Sequence, residues 1–133
     1  MFVENKQAKL EEILDRLKRN AALLDVVYAS REGMTIAYSS TLPGTKIDLI
    51  SALGAAKISL ANDFSTNVYN SSTPIPLRKF ILEHEDPRTM NGRRRAVIMP
   101  LLEGVLITLS SKVNLGLVLL EMRKAAQIIN QIV

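Results

Sequence analysis

Residues 47–64 read IDLISALGAAKISLANDF, and the pattern of apolar residues in this stretch places strong constraints on the fold. At about 100° per residue, an α-helix over these residues carries an apolar arc of roughly 200°. The arc runs in order through Ala56, Leu49, Leu60, Leu53, Phe64, Ile50, Ala61, Gly54, Ile47 and Ile58. A helix that covers one face of its own sheet needs an apolar arc of only about 100°. Part of this arc must therefore be covered by something other than the sheet.

The arc divides into two halves that differ in side-chain size. The large half consists of Leu49, Leu53, Leu60 and Phe64, and the half with small residues at its centre consists of Ile47, Ile50, Gly54, Ile58 and Ala61. Because small residues let two helices approach closely, we expect the half centred on Gly54 to form a dimer seam. Lys57 lies within the arc and either meets a partner carboxylate or snorkels to solvent. The alternative for the arc is a helix sunk more deeply in its own domain.

Upstream of this helix, apolar residues recur at three- and four-residue steps and predict a first helix over residues 5–20. Two apolar stretches, residues 23–29 and 34–38, then predict a β-hairpin in which Gly33 supplies the positive φ of the turn. Thr45, with Asp48 three positions later, predicts a capping box that opens the second helix, which we expect to run to about residue 64.

The chain downstream of residue 64 completes one α+β domain over residues 1–133. In order, the sequence predicts a loop over 65–76, a strand over 78–85, a loop over 86–92, strands over 95–102 and 105–110, and a last helix capped by Asn114. The element order is α-β-β-α-β-β-β-α. Short turns make the strands antiparallel, and residues 97–102 are apolar on both faces, so helices must cover both sides of the sheet. We expect a three-layer α/β/α domain around a central five-stranded antiparallel sheet.

The strand over residues 78–85 is a candidate sheet edge because long loops flank it on both sides. An edge strand that pairs with its own copy merges two sheets across a twofold axis and brings the second helices together beside it. The sequence therefore predicts a homodimer. The predicted interface contains Ile47, Ile50, Gly54, Lys57, Ile58, Ala61, Lys79, Phe80, Ile81, Leu82 and Glu83.

Composition narrows the functional classes. Apolar residues make up 47% of the chain and charged residues 23%, which is typical of a packed globular domain. The chain contains no cysteine, so disulfides and thiolate metal sites are excluded. Its first residues alternate charged and apolar types, and the longest apolar run, residues 115–120, is far shorter than a membrane span. We expect a cytoplasmic protein without direct membrane insertion.

No set of residues suited to catalysis is evident. The one histidine, His84, lies in a predicted strand and is more often structural than catalytic in such a position. No glycine-rich phosphate-binding motif occurs, and no cofactor or metal is expected. The sequence therefore predicts a protein that is not an enzyme.

The strongest charge cluster is Arg93, Arg94 and Arg95, with Arg88 nearby. These arginines are candidate contacts to phosphates or to an acidic protein surface. No aromatic residues interleave with them, so specific nucleic-acid binding is not expected. The alternative is a solvated loop that leads into a strand.

Several segments together resemble the roadblock/dynein light-chain family. They are residues 26–37 (VVYASREGMTIA), 104–109 (GVLITL) and 114–116 (NLG), and the similarity in order and spacing covers nearly the whole chain. The resemblance implies a roadblock/longin/profilin-like fold and dimerisation through the second helix and the third strand. It also implies a non-catalytic scaffold or regulator that binds a Ras-like small GTPase or a motor or signalling complex.

Two other functions stay open at this point. One is a module that binds nucleic acid or an acidic surface through Arg93–Arg95, for which salt-dependent binding would be diagnostic. The other is a small-molecule sensor built on a related sheet, for which a ligand-dependent thermal shift would be diagnostic.

Overall fold

Helices and strands follow one another in the predicted order in the computed structural model, which describes residues 2–69, 77–86, 88, 92–111 and 114–133. The elements are α1 (Phe2–Asn20), β1 (Asp25–Ser30), β2 (Thr35–Ser39), α2 (Gly44–Val68), β3 (Phe80–Asp86), β4 (Gly92–Pro100), β5 (Gly104–Ser110) and α3 (Leu115–Ile132). The predicted order α-β-β-α-β-β-β-α is confirmed.

All strands belong to one five-stranded sheet with the order β2-β1-β5-β4-β3. Every neighbouring pair is antiparallel. β3 lies at one edge and pairs only with β4 among the described strands, so the predicted edge position of β3 is confirmed. β2 forms the opposite edge.

The two faces of the sheet carry separate cores because side chains alternate along each strand. Val26 and Tyr28 of β1 pack in a cluster with buried residues of α1 and α3, whereas Val27 packs in a second cluster with Ile47 and Ile58 of α2. α1 and α3 contact each other on the first face, and α2 covers the second. The predicted three-layer α/β/α arrangement is confirmed.

The β1–β2 turn depends on Gly33, which has a φ of +91°. The N–H of Gly33 donates to the carbonyl of Ser30, and the N–H of Ser30 donates to the carbonyl of Met34. A Cβ at Gly33 would also lie 3.1 Å from the Cα of Ala52 in α2. Glycine therefore permits both the turn and the close approach of α2 to it.

The predicted start and end of α2 are both wrong by a few residues. The helix begins at Gly44 after Pro43 and has no side-chain cap. Asp48, the expected capping partner of Thr45, instead accepts a 2.8 Å hydrogen bond from the hydroxyl of Thr35. Residues 65–68, predicted as loop, continue the helix, and residues 70–76 of that predicted loop lie outside the described residues.

The loop predicted between the third and fourth strands is shorter than expected on both sides. Asp86 ends β3 and Gly92 begins β4, so Arg93–Arg95 lie in a strand. Residues 87 and 89–91 lie outside the described residues. Opposite charges face each other across this hairpin, with Glu83 opposite Arg95 and Glu85 opposite Arg93 in the register. These cross-strand pairs favour strand pairing that a local reading of three consecutive arginines does not reveal.

The N-cap prediction for the last helix is confirmed. The side chain of Asn114 accepts a hydrogen bond from the N–H of Leu117 at 3.2 Å. Val118, Met122 and Ile129 of α3 are buried against the first face of the sheet.

Candidate protein-interaction surface

The face of α2 that points away from the sheet is lined by large apolar side chains. Successive members lie three to four helical positions apart or at twice that interval, so they form one stripe along the helix. Each is half exposed or more: Leu49 50%, Leu53 53%, Leu60 63%, Phe64 65% and Val68 56%. We call these five residues the outer stripe. An apolar stripe of this length in solvent marks a surface that another molecule covers.

The half of α2 predicted to face a partner instead lies on the protein's own sheet. Ile47 is 1% exposed and Ile58 6%, and Gly54 is also buried. A Cβ at Gly54 would clash with the side chain of Ile107 in β5, approaching its Cγ1 to 2.9 Å. Ile50 packs against the same core cluster. Ile47, Gly54 and Ile58 are therefore unavailable to a partner, which corrects their assignment to the seam, whereas Ile50 is only partly buried.

The physical reason for this correction is close packing of a helix on a strand. Small residues at the centre of a helical face permit close approach to any flat neighbour, and here the neighbour is β5 rather than a second helix. Ala61 and Lys57 are only partly buried, at the border between the inner face and the outer stripe. Four of the five residues of the outer stripe form the large half of the arc identified in the sequence, and the stripe is the face left for a partner.

The edge strand β3 supplies a second incompletely covered surface. Phe80, Ile81 and Leu82 are partly buried, and Lys79 and Glu83 are exposed. Phe80 packs with the core cluster under α2, and Ile81 packs with the cluster under α1 and α3. β3 thus belongs to both cores, while its outer edge meets no other described strand of this chain.

Most of the arginine cluster is engaged within the β3–β4 hairpin. The Nε atoms of Arg94 and Arg88 lie 3.0 and 3.2 Å from carboxylate oxygens of Asp86, and Nε of Arg95 lies 3.0 Å from Glu83. Arg93 is exposed and makes no ion pair with any described residue. The cluster therefore presents much less free charge than its sequence indicates, and it is a weak candidate for binding phosphates.

Asp86 holds this end of the hairpin together. The backbone N–H of Arg88 donates to Oδ1 at 3.0 Å, and the Arg94 guanidinium donates to Oδ2. These bonds, that of the Arg88 N–H foremost, hold the pKa of the Asp86 carboxyl below its usual value and outweigh the opposing effect of burial. Asp86 is thus a structural carboxylate rather than a proton donor at neutral pH.

His84 is exposed and lies opposite Arg94 in the register. Within the described ranges, no cluster of three or more histidines and carboxylates is placed to hold a metal ion. In the same part of the chain, no helix has the length and apolar character needed to cross a membrane.

Comparison with known proteins relates this chain to others through structure. No protein-family model matches the sequence, and no curated protein matches it. MglB from Myxococcus xanthus is 18% identical with a TM-score of 0.74, covering 95% of this chain and 88% of MglB. An MglB solved in a tetrameric arrangement is 16% identical with a TM-score of 0.76, covering 96% and 89%.

A Roadblock/LC7 domain from Streptomyces avermitilis is similar to this chain over an equally large extent. It is 12% identical with a TM-score of 0.77, covering 91% of this chain and 94% of the domain. These likenesses cover 91% or more of this chain and 88% or more of each similar structure. The chain has the fold of the Roadblock/LC7 domain.

Proposed function

We propose that this chain is a non-catalytic regulator or scaffold of the roadblock type that acts as a homodimer and binds a Ras-like small GTPase. The observation that carries the proposal is the outer stripe of α2, an apolar surface with no partner among the described residues, in a chain whose sheet also has an open edge at β3.

The apolar surface of the outer stripe allows an estimate of how much its burial would contribute to the free energy of dimerisation. Full burial of a leucine or phenylalanine side chain contributes about 2 kcal/mol, and these five side chains are already about half covered, which leaves roughly 1 kcal/mol each. Two copies of the stripe then contribute about 10 kcal/mol, against an association cost of about 4 to 15 kcal/mol. The stripe alone gives weak association, so backbone pairing along β3, at about 1 kcal/mol per hydrogen bond, decides whether the dimer is stable.

The choice of a Ras-like GTPase as partner rests on the resemblance to the roadblock family. Three observations support a binding role over catalysis. The fold is shared with MglB and with a Roadblock/LC7 domain, Asp86 pairs with two of the arginines, and the outer stripe of α2 is apolar. A motor or signalling complex is the alternative partner within the same role.

The test is binding of the purified chain to the Ras-like GTPases of its source organism, each loaded with GDP or with a non-hydrolysable GTP analogue. We expect one GTPase to bind with at least about tenfold preference for one nucleotide state in calorimetry, which is about 1.4 kcal/mol. We also expect no steady phosphate release from GTP or ATP by the chain alone. Failure of every GTPase to bind in either state, or sustained hydrolysis by the isolated chain, would contradict the proposal.

A further inference from the structure

β3 and the residues just before it carry charge of opposite sign at their two ends. Residues 78–86 read RKFILEHED, with two basic residues first, an apolar centre, and three acidic residues in the second half. Such a strand is complementary to itself when two copies run antiparallel, because each basic end then lies beside an acidic end. Parallel pairing would set like charges together.

Only some of these charges are free to meet a partner. Glu83 is bound by Arg95, and Asp86 is bound by Arg88 and Arg94. Lys79 and Glu85 are both exposed, and neither makes an ion pair with any residue that the structure describes. The nearest cation to Glu85 in the register is Arg93, directly opposite it on β4.

Symmetry leaves few registers for pairing between two copies. When two copies of β3 pair antiparallel across a twofold axis perpendicular to the sheet, residues that lie opposite each other have their side chains on the same face. The axis therefore lies midway between the two copies of one residue of β3, which face each other. An axis at Glu83 sets the two Glu83 carboxylates against each other. An axis at Ile81 sets Lys79 opposite the partner's Glu83, whose charge Arg95 already neutralises. An axis at Leu82 sets Lys79 opposite the partner's Glu85, which joins two charges of opposite sign that are exposed and make no ion pair among the described residues, and it sets Arg78, which is also exposed, opposite the partner's Asp86.

We propose that β3 recognises a second copy of this chain in the antiparallel register centred on Leu82, with Lys79 of each copy paired to the partner's Glu85. This inference rests on the proposed homodimer and specifies how the partner is chosen. The twofold axis generates this ion pair twice in each dimer. A partner strand with a different charge pattern would therefore lose both ion pairs.

The same register places apolar side chains together on the face covered by α2. Leu82 lies two residues from Phe80, on the same face of the strand, and Phe80 packs in the core cluster under α2. At the axis, Leu82 therefore meets its own copy and extends that cluster from one protomer into the other. The charged pairs flank this apolar centre on the opposite face of the sheet.

Charge reversal tests the register directly. In the Lys79→Glu variant, a glutamate at position 79 faces Glu85 of the partner subunit at each end of the seam. In the Glu85→Lys variant, two lysines face each other there instead. We expect each variant to dimerise at least about tenfold more weakly than the unaltered chain in sedimentation velocity at low salt, with a smaller difference at high salt. An equimolar mixture of the two variants restores both attractive pairs, and we expect a heterodimer of near-normal affinity.

Matched controls carry the same charge changes at exposed sites away from β3. Lys9→Glu lies on α1 and Glu32→Lys lies in the β1–β2 turn, and both should dimerise normally, alone or mixed. If the unaltered chain dimerises but the β3 variants behave like these controls, or if their mixture does not recover, the register is wrong and the proposed dimer stands. If the unaltered chain is monomeric at all concentrations, the proposed dimer fails and this inference fails with it.

Discussion

Gly54 occupies the point where α2 lies against β5. A side chain there meets Ile107, which is 2% exposed in the interior of the sheet. Gly54→Glu places a carboxylate in this apolar contact without a partner, at a cost of several kcal/mol. Since that is a large part of the stability of a small domain, we expect the variant to lose its folded circular dichroism spectrum and its cooperative thermal transition.

Ser59→Glu is the matched control for this substitution, because Ser59 is exposed on the same helix. We expect the free energy of unfolding of the control to lie within about 1 kcal/mol of that of the unaltered chain. A folded, monomeric Gly54→Glu variant would instead place Gly54 in an intermolecular seam, as the sequence alone suggested.

At the level of single residues, periodicity identified the apolar arc of α2 but assigned its two halves to the wrong neighbours. The spacing of Ile47, Gly54 and Ile58 defines a face with small residues, and a small-residue face fits a strand as well as a helix. The neighbour of this face is identified by Ile107 of β5, whose side chain lies against Gly54 although the two residues are far apart in sequence. Burial of one half therefore followed only from the tertiary structure.

The β3–β4 hairpin depends on Asp86 as its ionic anchor. Because hydrogen bonds from Arg88 and Arg94 hold the pKa of Asp86 below its usual value, ionised Asp86 stabilises the folded state. This contribution is fully present above the unfolded-state pKa, about 3.9, and is lost as the pH falls through the lower folded-state pKa. Asp86→Asn should therefore destabilise the protein at pH 7 and show less difference from the unaltered chain as the pH falls below about 4.

Urea denaturation of both proteins across this pH range measures the effect. Glu32→Gln serves as the control, since Glu32 is exposed in the β1–β2 turn and makes no ion pair with a described residue. A difference between Asp86→Asn and the unaltered chain that stays constant as the pH falls would show that the loss comes from packing and not from the ionised carboxylate.

At the level of elements, the order and type of every helix and strand could be predicted because each signal is local. Apolar steps define α1, Gly33 defines the β1–β2 turn, and Asn114 caps α3. Two of the misplaced boundaries involve residues that are distant in sequence, whereas the extension of α2 to Val68 is accompanied by local side-chain hydrogen bonds. β4 extends back to Gly92, with Arg93 opposite Glu85 and Arg94 opposite His84, and the hydroxyl of Thr35 donates to Asp48, which does not cap the helix.

At the level of the whole molecule, the outer stripe of α2 and the outer edge of β3 are both incompletely covered by described residues, and they differ in chemistry. The outer stripe of α2 is apolar, and contacts between apolar side chains are not directional, whereas the edge of β3 offers backbone hydrogen bonds and an ordered pattern of charge. The excess width of the α2 arc and the edge position of β3 were both visible in the sequence, so it predicted a dimer. It did not show which half of α2 remains outside.

Sedimentation velocity of a double variant, Leu53→Glu with Leu60→Glu, tests whether the outer stripe of α2 forms the seam of the proposed homodimer. We expect the unaltered chain to sediment at twice its chain mass of 14.7 kDa and the double variant to sediment at 14.7 kDa with an unchanged circular dichroism spectrum. Leu102→Glu, at a residue 69% exposed in the β4–β5 turn, should remain dimeric. A double variant that is still a dimer, or an unaltered chain that is monomeric up to high concentration, would contradict the account.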